Sequence, residues 1–526
     1  MPRVQPGKHS GRYGSARKHS RALWLAAALF LPAVPLQAQD AAEQGISLLG
    51  SVRTGLTYAP AVQSERREVL KSEASLTEAR STYDPSLTLS SGYRKDAGLA
   101  ESGSNRHTLS SSLALSQRLP SGITLAPTLS LVRRSTNLEG TTAETEGSAG
   151  MSIVVPLSRG LGSRNLSRAT RNAARQSLEA EQEQLVATLA TSAYRTASAY
   201  WDYVYACSQL DLAHLLTQSA RHQLNATRVL AEADQIARLM VEQADAYLQQ
   251  SRASELSAAL ALEERWHALL LAMGQDPADY PVPAKPSDDF PVPENDFPAG
   301  LPSLETLRRA ALRNRSDLRS EALATAAAAT TLEGYRNEQK PDVSLTLWGG
   351  YGGTSAGDEV GDYFTALNHN IPGTSLSASL SWAIEGGNRA NQAAFQTRLA
   401  MLEQRRIEEA ALQRSVGSGV ATALSSVRNA AALYRLNLVS AEAYGRLKEG
   451  EMKKFRMGLS DIFNLQTASN NLASADLQLL AAKKAFAQAI LDLRMATGSL
   501  VEVTDGSVRL TSANLVSLPT EEEGRP

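Results

Sequence analysis

The sequence predicts an α+β membrane protein built twice from one helix–strand–long-helix unit, and three observations predict it. The chain matches itself in tandem, at one offset before the strands and a smaller one after them. It holds segments of about ten residues that alternate apolar with small polar positions, the length a tilted membrane strand needs. Each set of strands is followed by a proline-free stretch long enough for a helix of about 100 Å.

The duplication can be followed residue by residue. Tyr58–Val62 aligns with Asn314–Leu318 at an offset of 256, and the same offset carries Glu65 onto Glu321 and Pro85 onto Pro341. SLTLSSGY follows Pro85, and DVSLTLWGGY follows Pro341. The offset is 225 where Gly162 meets Gly387 and Arg164 meets Arg389, and 224 where AMG (Ala272–Gly274) meets ATG (Ala496–Gly498). The strand region of the first copy is therefore about 31 residues longer. The first copy spans residues 39–274, with strands at about 86–157 and long helices at about 163–273. A Pro-rich linker, 275–302, holds PVPAKP and PVPENDFP, strings that neither a helix nor a central strand accepts. The second copy is 303–498, with strands at about 342–384 and helices at about 388–497, and 499–526 is a tail.

Six strands are expected. The first copy offers Leu87, Leu89, Ser91 and Tyr93 on one face, then Leu109 to Leu115, Ile123 to Leu131, and Ile153 to Leu157. The second copy offers Val343 to Tyr351 and Leu376 to Ile384. Opposite faces are mostly Ser, Thr and Ala. Tyr93, Trp348, Tyr351, Tyr363, Phe364 and Trp382 lie in or near these segments, where aromatics that sit at membrane interfaces are expected. Alternation alone also fits a soluble, half-buried sheet.

Residues 1–38 read as a secretory signal peptide: six basic residues and no acid, an apolar run from Ala22 to Val34, and a small-residue site ending at Ala38. The run is shorter than the roughly 20 residues a spanning helix needs. No later segment offers such a run, so membrane entry would require a β-barrel. Without the leader, 47 basic residues face 54 acidic ones, a net charge of −7 that argues against a nucleic-acid partner.

The last helix carries the sharpest pattern. Leu465, Leu472, Leu479, Phe486 and Leu493 form an unbroken heptad, with Ala468, Ala475, Ala482, Ala489 and Ala496 three residues after each. Large–small heptads specify a left-handed coiled coil with closely approaching backbones. The first copy keeps the frame from Val241 to Ala272 but breaks it at Glu255 and Arg265, so the two copies face different surroundings. Helices this long need partners along their length, which implies a tube or bundle of many helices.

Catalytic chemistry is not expected. His214 and His222 are eight apart, too far for a metal pair on one helix. The single cysteine, Cys207, excludes a disulfide framework and lies among Tyr203, Tyr205 and Ala206 as a packed thiol. No catalytic, cofactor-binding or metal-ligating set emerges.

The segment from Lys453, KKFRMGLSDIFNLQTASNNLASADLQLLAAKKAFAQAILDLRMATG, together with VPLSRGLG (Val155–Gly162), SWAIEGGNR (Ser381–Arg389) and the duplication, resembles the TolC-like outer-membrane factor family of efflux and type I secretion systems. The resemblance covers nearly the whole mature chain. It implies a homotrimer whose protomers jointly close one outer-membrane β-barrel and one periplasmic α-helical coiled-coil tunnel. It also implies a periplasmic adaptor (membrane-fusion) protein and an inner-membrane pump or ATP-driven exporter as partners, with outer-membrane lipid around the barrel. The family usually contributes four strands per protomer. With six candidates here, either the trimeric barrel is larger or the Leu109–Leu131 hairpin pair lies outside it. The adaptor-contact tips implied are Met457, Gly458, Leu459 and Ser460 and, in the first copy, the turn from Asp234 to Arg238, where Asp234 stands at the expected glycine. Asn464 and Thr467 match the family's pore constriction without its usual carboxylates. Asp461 is the acidic candidate nearby, and a helix cap is its alternative role. Lys453, Lys454 and Arg456 could pair with acids on a neighbouring helix. The reading of a different class is a structural or adhesive coiled-coil stalk of the cell envelope without transport activity.

Overall fold

A computed structural model describes residues 45–97, 105–136, 143–234, 236–293, 301–356, 373–384, 386–457, 459–504 and 507–519. The expected leader, 1–38, lies outside these residues, as do Tyr363 and Phe364. In chain order the elements are α1 (Leu48–Tyr58), α2 (Pro60–Ser81), β1 (Ser86–Asp96), β2 (Arg106–Arg118), β3 (Thr124–Thr136), β4 (Glu144–Pro156), α3 (Leu166–Glu232) and α4 (Leu239–Met273). Then come α5 (Leu304–Asn314), α6 (Ser316–Glu338), β5 (Asp342–Ala356), β6 (Thr374–Ala383), α7 (Arg389–Arg456) and α8 (Ile462–Thr497). A small hairpin, β7 (Glu502–Thr504) and β8 (Ser507–Arg509), and α9 (Ser512–Val516) end the described chain. Among the described residues no helix is long and apolar enough to cross a membrane.

Matched positions carry matched physics. Ser47 and Ser303, 256 apart, cap α1 and α5, their hydroxyls accepting from the Gly50 and Thr306 amides. Gly274 and Gly498 end α4 and α8 in the left-handed region, at φ 74° and 71°. The next amides, Gln275 and Ser499, donate back to the Leu270 and Arg494 carbonyls at 2.9 and 3.0 Å. That closure needs a backbone few residues other than glycine adopt cheaply, which is why AMG and ATG recur. The chain divides into two compact units, and each draws on both copies.

One unit comprises residues 68–182 and 319–411. Its sheet is a single antiparallel array in the order β1-β2-β3-β4-β5-β6. The Leu109–Leu131 hairpin therefore lies inside the sheet, between β1 and β4, rather than outside it. Register makes one face continuous: Leu89 stands opposite Leu113, Leu113 opposite Leu129, Leu129 opposite Ala149 and Ala149 opposite Tyr351. Nearer the helices, Leu125, Ile153, Leu347 and Ala378 form a second row, and Val155, Leu345 and Leu380 a third. The other face is mostly Ser, Thr, Gly and Ala, with Ser90, Ser112, Ser130, Ser148 and Gly352 in one row and charged residues such as Arg134 and Glu146 toward the loop end. Leucines on the apolar face are left bare, Leu376 by 88%. Trp382 lies at the helix-side end of that face, and Tyr93 and Tyr351 toward the loop end. Trp348 departs from the expected set of interfacial aromatics. It stands on the small-residue face, pairing with Ser152 and Ser377. A Cβ added at Gly150 would meet its ring at 2.7 Å, so the indole lies where only glycine leaves room. Beside the sheet, Arg159 pairs with Glu338 at 3.0 Å and the Gly160 amide donates to Asn337 Oδ1 at 2.8 Å.

The other unit comprises the described parts of 1–67, 183–318 and 412–526. Its main core gathers Trp201, Tyr200 and Tyr203 of α3, Leu269 and Leu270 of α4, Val52 of α1 and Leu491 of α8. The Pro-rich segment closes this core and is more than a spacer. Asp288 accepts from the Leu48 amide at 2.7 Å and from the Tyr200 hydroxyl at 2.9 Å. Phe290 stacks on Trp201 at 5.3 Å, and the Trp266 indole donates to the Tyr280 carbonyl at 2.9 Å. A polar ladder ties α3 to α8. Tyr194 donates to Asp492 at 2.7 Å, and Gln488 donates to the Tyr194 oxygen at 2.9 Å. Burial first, then Asp492, pushes the Tyr194 hydroxyl up to about 12, so it stays a donor. Lys484 of α8 also pairs with Asp202 of α3.

The α8 heptad is the buried seam. Leu465, Phe486 and Leu493 are covered, as are Ala468, Ala475, Ala482 and Ala489. The two breaks in α4 have partners on α3: Glu255 meets His214 at 2.8 Å and Arg265 meets Asp202 at 3.8 Å. The tail is held through Arg494, 1% exposed, whose guanidinium donates to the Ser517 carbonyl at 2.8 Å and the Leu518 carbonyl at 3.0 Å. Arg494→Ala removes charged donors and opens a cavity, so it should cost about 2–4 kcal/mol and lower the melting temperature. Arg494→Lys should recover little of it, because a point ammonium does not reproduce the planar fork. A thermal melt of the two variants checks both.

Candidate functional site

The α7–α8 turn is built by local hydrogen bonds. As α7 ends, the Met457 amide donates to the Lys453 and Lys454 carbonyls at 3.2 and 3.1 Å, and the Leu459 amide reaches back to Lys454 at 2.9 Å. Gly458 itself lies outside the described residues. Asp461 starts α8 with extended backbone, and its Oδ1 accepts from the Asn464 amide at 2.8 Å. Of its two candidate roles, the cap is the one with a partner, and the carboxylate also sits at the positive end of the helix.

The residue absent from the sequence reading is Glu451. Its Oε1 accepts from Lys454 at 2.6 Å and its Oε2 from the Ser460 hydroxyl at 2.9 Å, so one carboxylate braces both sides of the turn. Lys454 thus pairs within its own helix rather than with a neighbouring one. The Glu451–Lys454 spacing of three residues was the available signal. Lys454 first, then Ser460, holds the Glu451 carboxyl below the usual carboxylate range. Asn464 and Thr467 lie on one face of α8 and line a cleft of about 360 Å³ with Glu451, Lys454, Leu459 and Ser460. The structure therefore groups Ser460, Asn464 and Thr467 around Glu451, while Asp461 is engaged by its own helix.

In the first copy the turn after α3 solves the same problem with a costlier residue. Asp234 takes φ 56°, the left-handed region, where glycine is free and aspartate is tolerated. Gln235 lies outside the described residues. Arg238 precedes α4 in helical backbone with no side-chain cap, unlike Asp461. Apolar side chains stand bare at both turns: Met457, Leu459 and Phe463 around one and Leu239 beside the other.

Two outcomes are expected. Asp234→Gly should leave the fold as stable or more stable by up to about 1 kcal/mol, while Asp234→Val should destabilise it by about 1–2 kcal/mol. A thermal melt separates them. Glu451→Gln should speed hydrogen exchange at the Leu459 and Ser460 amides at neutral pH. Because the folded carboxyl titrates low, the wild-type brace holds above the ordinary glutamate range and is lost as pH falls through the lowered value.

Residues 307–499, which cover the second copy, match the family model described as outer membrane efflux protein. Three solved structures with high similarity of fold are outer-membrane proteins. The CmeC outer membrane channel of Campylobacter jejuni aligns with a TM-score of 0.63 at 16% identity, over 86% of this chain and 85% of that one. VceC of Vibrio cholerae gives 0.62 at 14%, over 86% and 96%. The open-state MtrE channel of Neisseria gonorrhoeae gives 0.59 at 18%, over 86% and 88%. No curated protein matches the chain by sequence.

Proposed function

We propose, from an outer membrane efflux protein domain carried on an outer-membrane channel fold, that this chain is one protomer of a homotrimeric export duct. Its sheet forms part of an outer-membrane β-barrel, and its long helices form part of a periplasmic tunnel. The single observation that carries the reading is the sheet itself, with one bare leucine face, one Ser/Thr/Gly face and open edges at β1 and β6. Such a sheet suits lipid on one side and water on the other, and neither an isolated soluble sheet nor a stalk needs it.

The assembly in threes rests on the resemblance and is supported by side chains that one copy leaves bare. Leu256 and Leu260 of α4 and Leu436 and Val439 of α7 are large, apolar and exposed. The turns at Met457–Ser460 and Asp234–Arg238 would meet the periplasmic adaptor, whose partner in turn is an inner-membrane pump or ATP-driven exporter. The expected leader at 1–38 would deliver the chain to the envelope. The duct is passive and performs no reaction of its own. The cleft around Glu451, Asn464 and Thr467 is the constriction candidate. An exposed brace of this kind contributes little energy, which suits a gate that must open.

Current decides between duct and stalk. The purified protein should give stable single-channel steps across a planar bilayer, and a stalk conducts nothing. Leu459→Asp should reduce capture of the adaptor at least about tenfold with the trimer intact, since a charge placed at the centre of an apolar contact typically costs more than 1.4 kcal/mol.

A further inference from the structure

The sheet carries six strands where the resemblance implies four, and the extra pair has an identifiable source. The offset between copies falls by 31 residues across the strand region, from 256 at β1 and β5 to 225 at Gly162 and Gly387. The span from the start of β2 to the end of β3, Arg106–Thr136, is 31 residues. In the second copy β5 pairs directly with β6; in the first, one hairpin stands between β1 and β4 and pairs with both. A hairpin adds two strands, so alternation survives and β1 and β6 still run in opposite directions. β6 of one copy can therefore pair antiparallel with β1 of the next.

The two edges match. All of β6 and all of β1 from Ser86 to Lys95 are exposed, whereas β2 to β5 are mostly half-covered by neighbours. The pairing ladder from Leu89 runs through Leu113, Leu129, Ala149 and Tyr351 to Thr374. Leu89 is three residues from the helix-side end of β1, and Thr374 is nine from the helix-side end of β6, a climb of six residues across the sheet. Setting Ala383 opposite Ser86 and Thr374 opposite Lys95 lays the ten residues of β6 flush on the next β1. That register puts Leu380 against Leu89, Trp382 against Leu87 and Leu376 against Tyr93 on the apolar face, with Ser379 against Ser90 on the other. Lys95 is also nine residues from its helix-side end, so each copy adds six strands and six residues of stagger. Equal strand number and shear correspond to a strand tilt of about 36°, inside the barrel range.

We propose that three copies close an eighteen-stranded barrel in this register. The inference rests on the trimeric duct reading. At about 4.8 Å between strands the barrel would be about 34 Å across its backbone, half as wide again as one of twelve strands. The inserted β2–β3 hairpin would thus widen the outer-membrane segment of the passage.

Paired cysteines in the full chain, oxidised in intact outer membranes, test it. The double variant Ser90→Cys/Ser379→Cys should give a covalent ladder that ends at three chains, and neither single variant should. Ser91→Cys/Ala378→Cys samples the other face of the same register. An intact non-covalent trimer with no ladder from either pair overturns the proposed pairing and leaves the duct reading standing. A wild-type protein that is not a trimer overturns both. Electron microscopy of the trimer should count eighteen strands, and twelve would overturn the proposal.

Discussion

The backbone hydrogen bonds of β1 and β6 are the constraint on which the rest depends. Among the described residues each strand has a neighbour on one side only. In water an open edge is a liability, and in hydrocarbon an unpaired amide or carbonyl costs several kcal/mol. The bare apolar face asks for lipid, and lipid forbids the open edges. Both demands are met at once only if another strand closes each edge. That requirement is why we propose that copies of the chain complete one another.

The helices impose a weaker form of the same condition. α3 and α7 have 67 and 68 residues, about 100 Å each at 1.5 Å per residue, and only part of their surface is covered within one copy. Along α8, alanine lets the cover be close. The α8 seam buries Ala468, Ala475, Ala482 and Ala489 and lets neighbouring backbones approach. Where cover must be polar, α3 is joined to its neighbours by Tyr194–Asp492, His214–Glu255 and Lys484–Asp202. The Pro-rich segment and the tail then lock the ends of this arrangement through Asp288 and Arg494.

Periodic features were legible in the sequence. The heptad from Leu465, the alternation of all six strands and the match between the two copies each repeat a local rule, and repetition survives without knowing the fold. The matched glycines were visible for the same reason, since one backbone conformation recurs at Gly274 and Gly498. What escaped depends on a single contact. Trp348 follows strand spacing onto the small-residue face, and only the register with Gly150 explains its place. Glu451 was hidden because its second partner, Ser460, lies across the turn. The Pro-rich segment reads as a spacer by composition, yet Asp288 gives it a fixed seat. Asp461 had two readings that only the amide of Asn464 could separate.

The central claim is that one chain is an incomplete barrel and that copies of it complete the edges. The native mass of the full-length protein, extracted in mild detergent and measured by light scattering, tests this directly. The account predicts a particle of three chains that falls to one on heating. A stable, monodisperse particle of a single chain would contradict it.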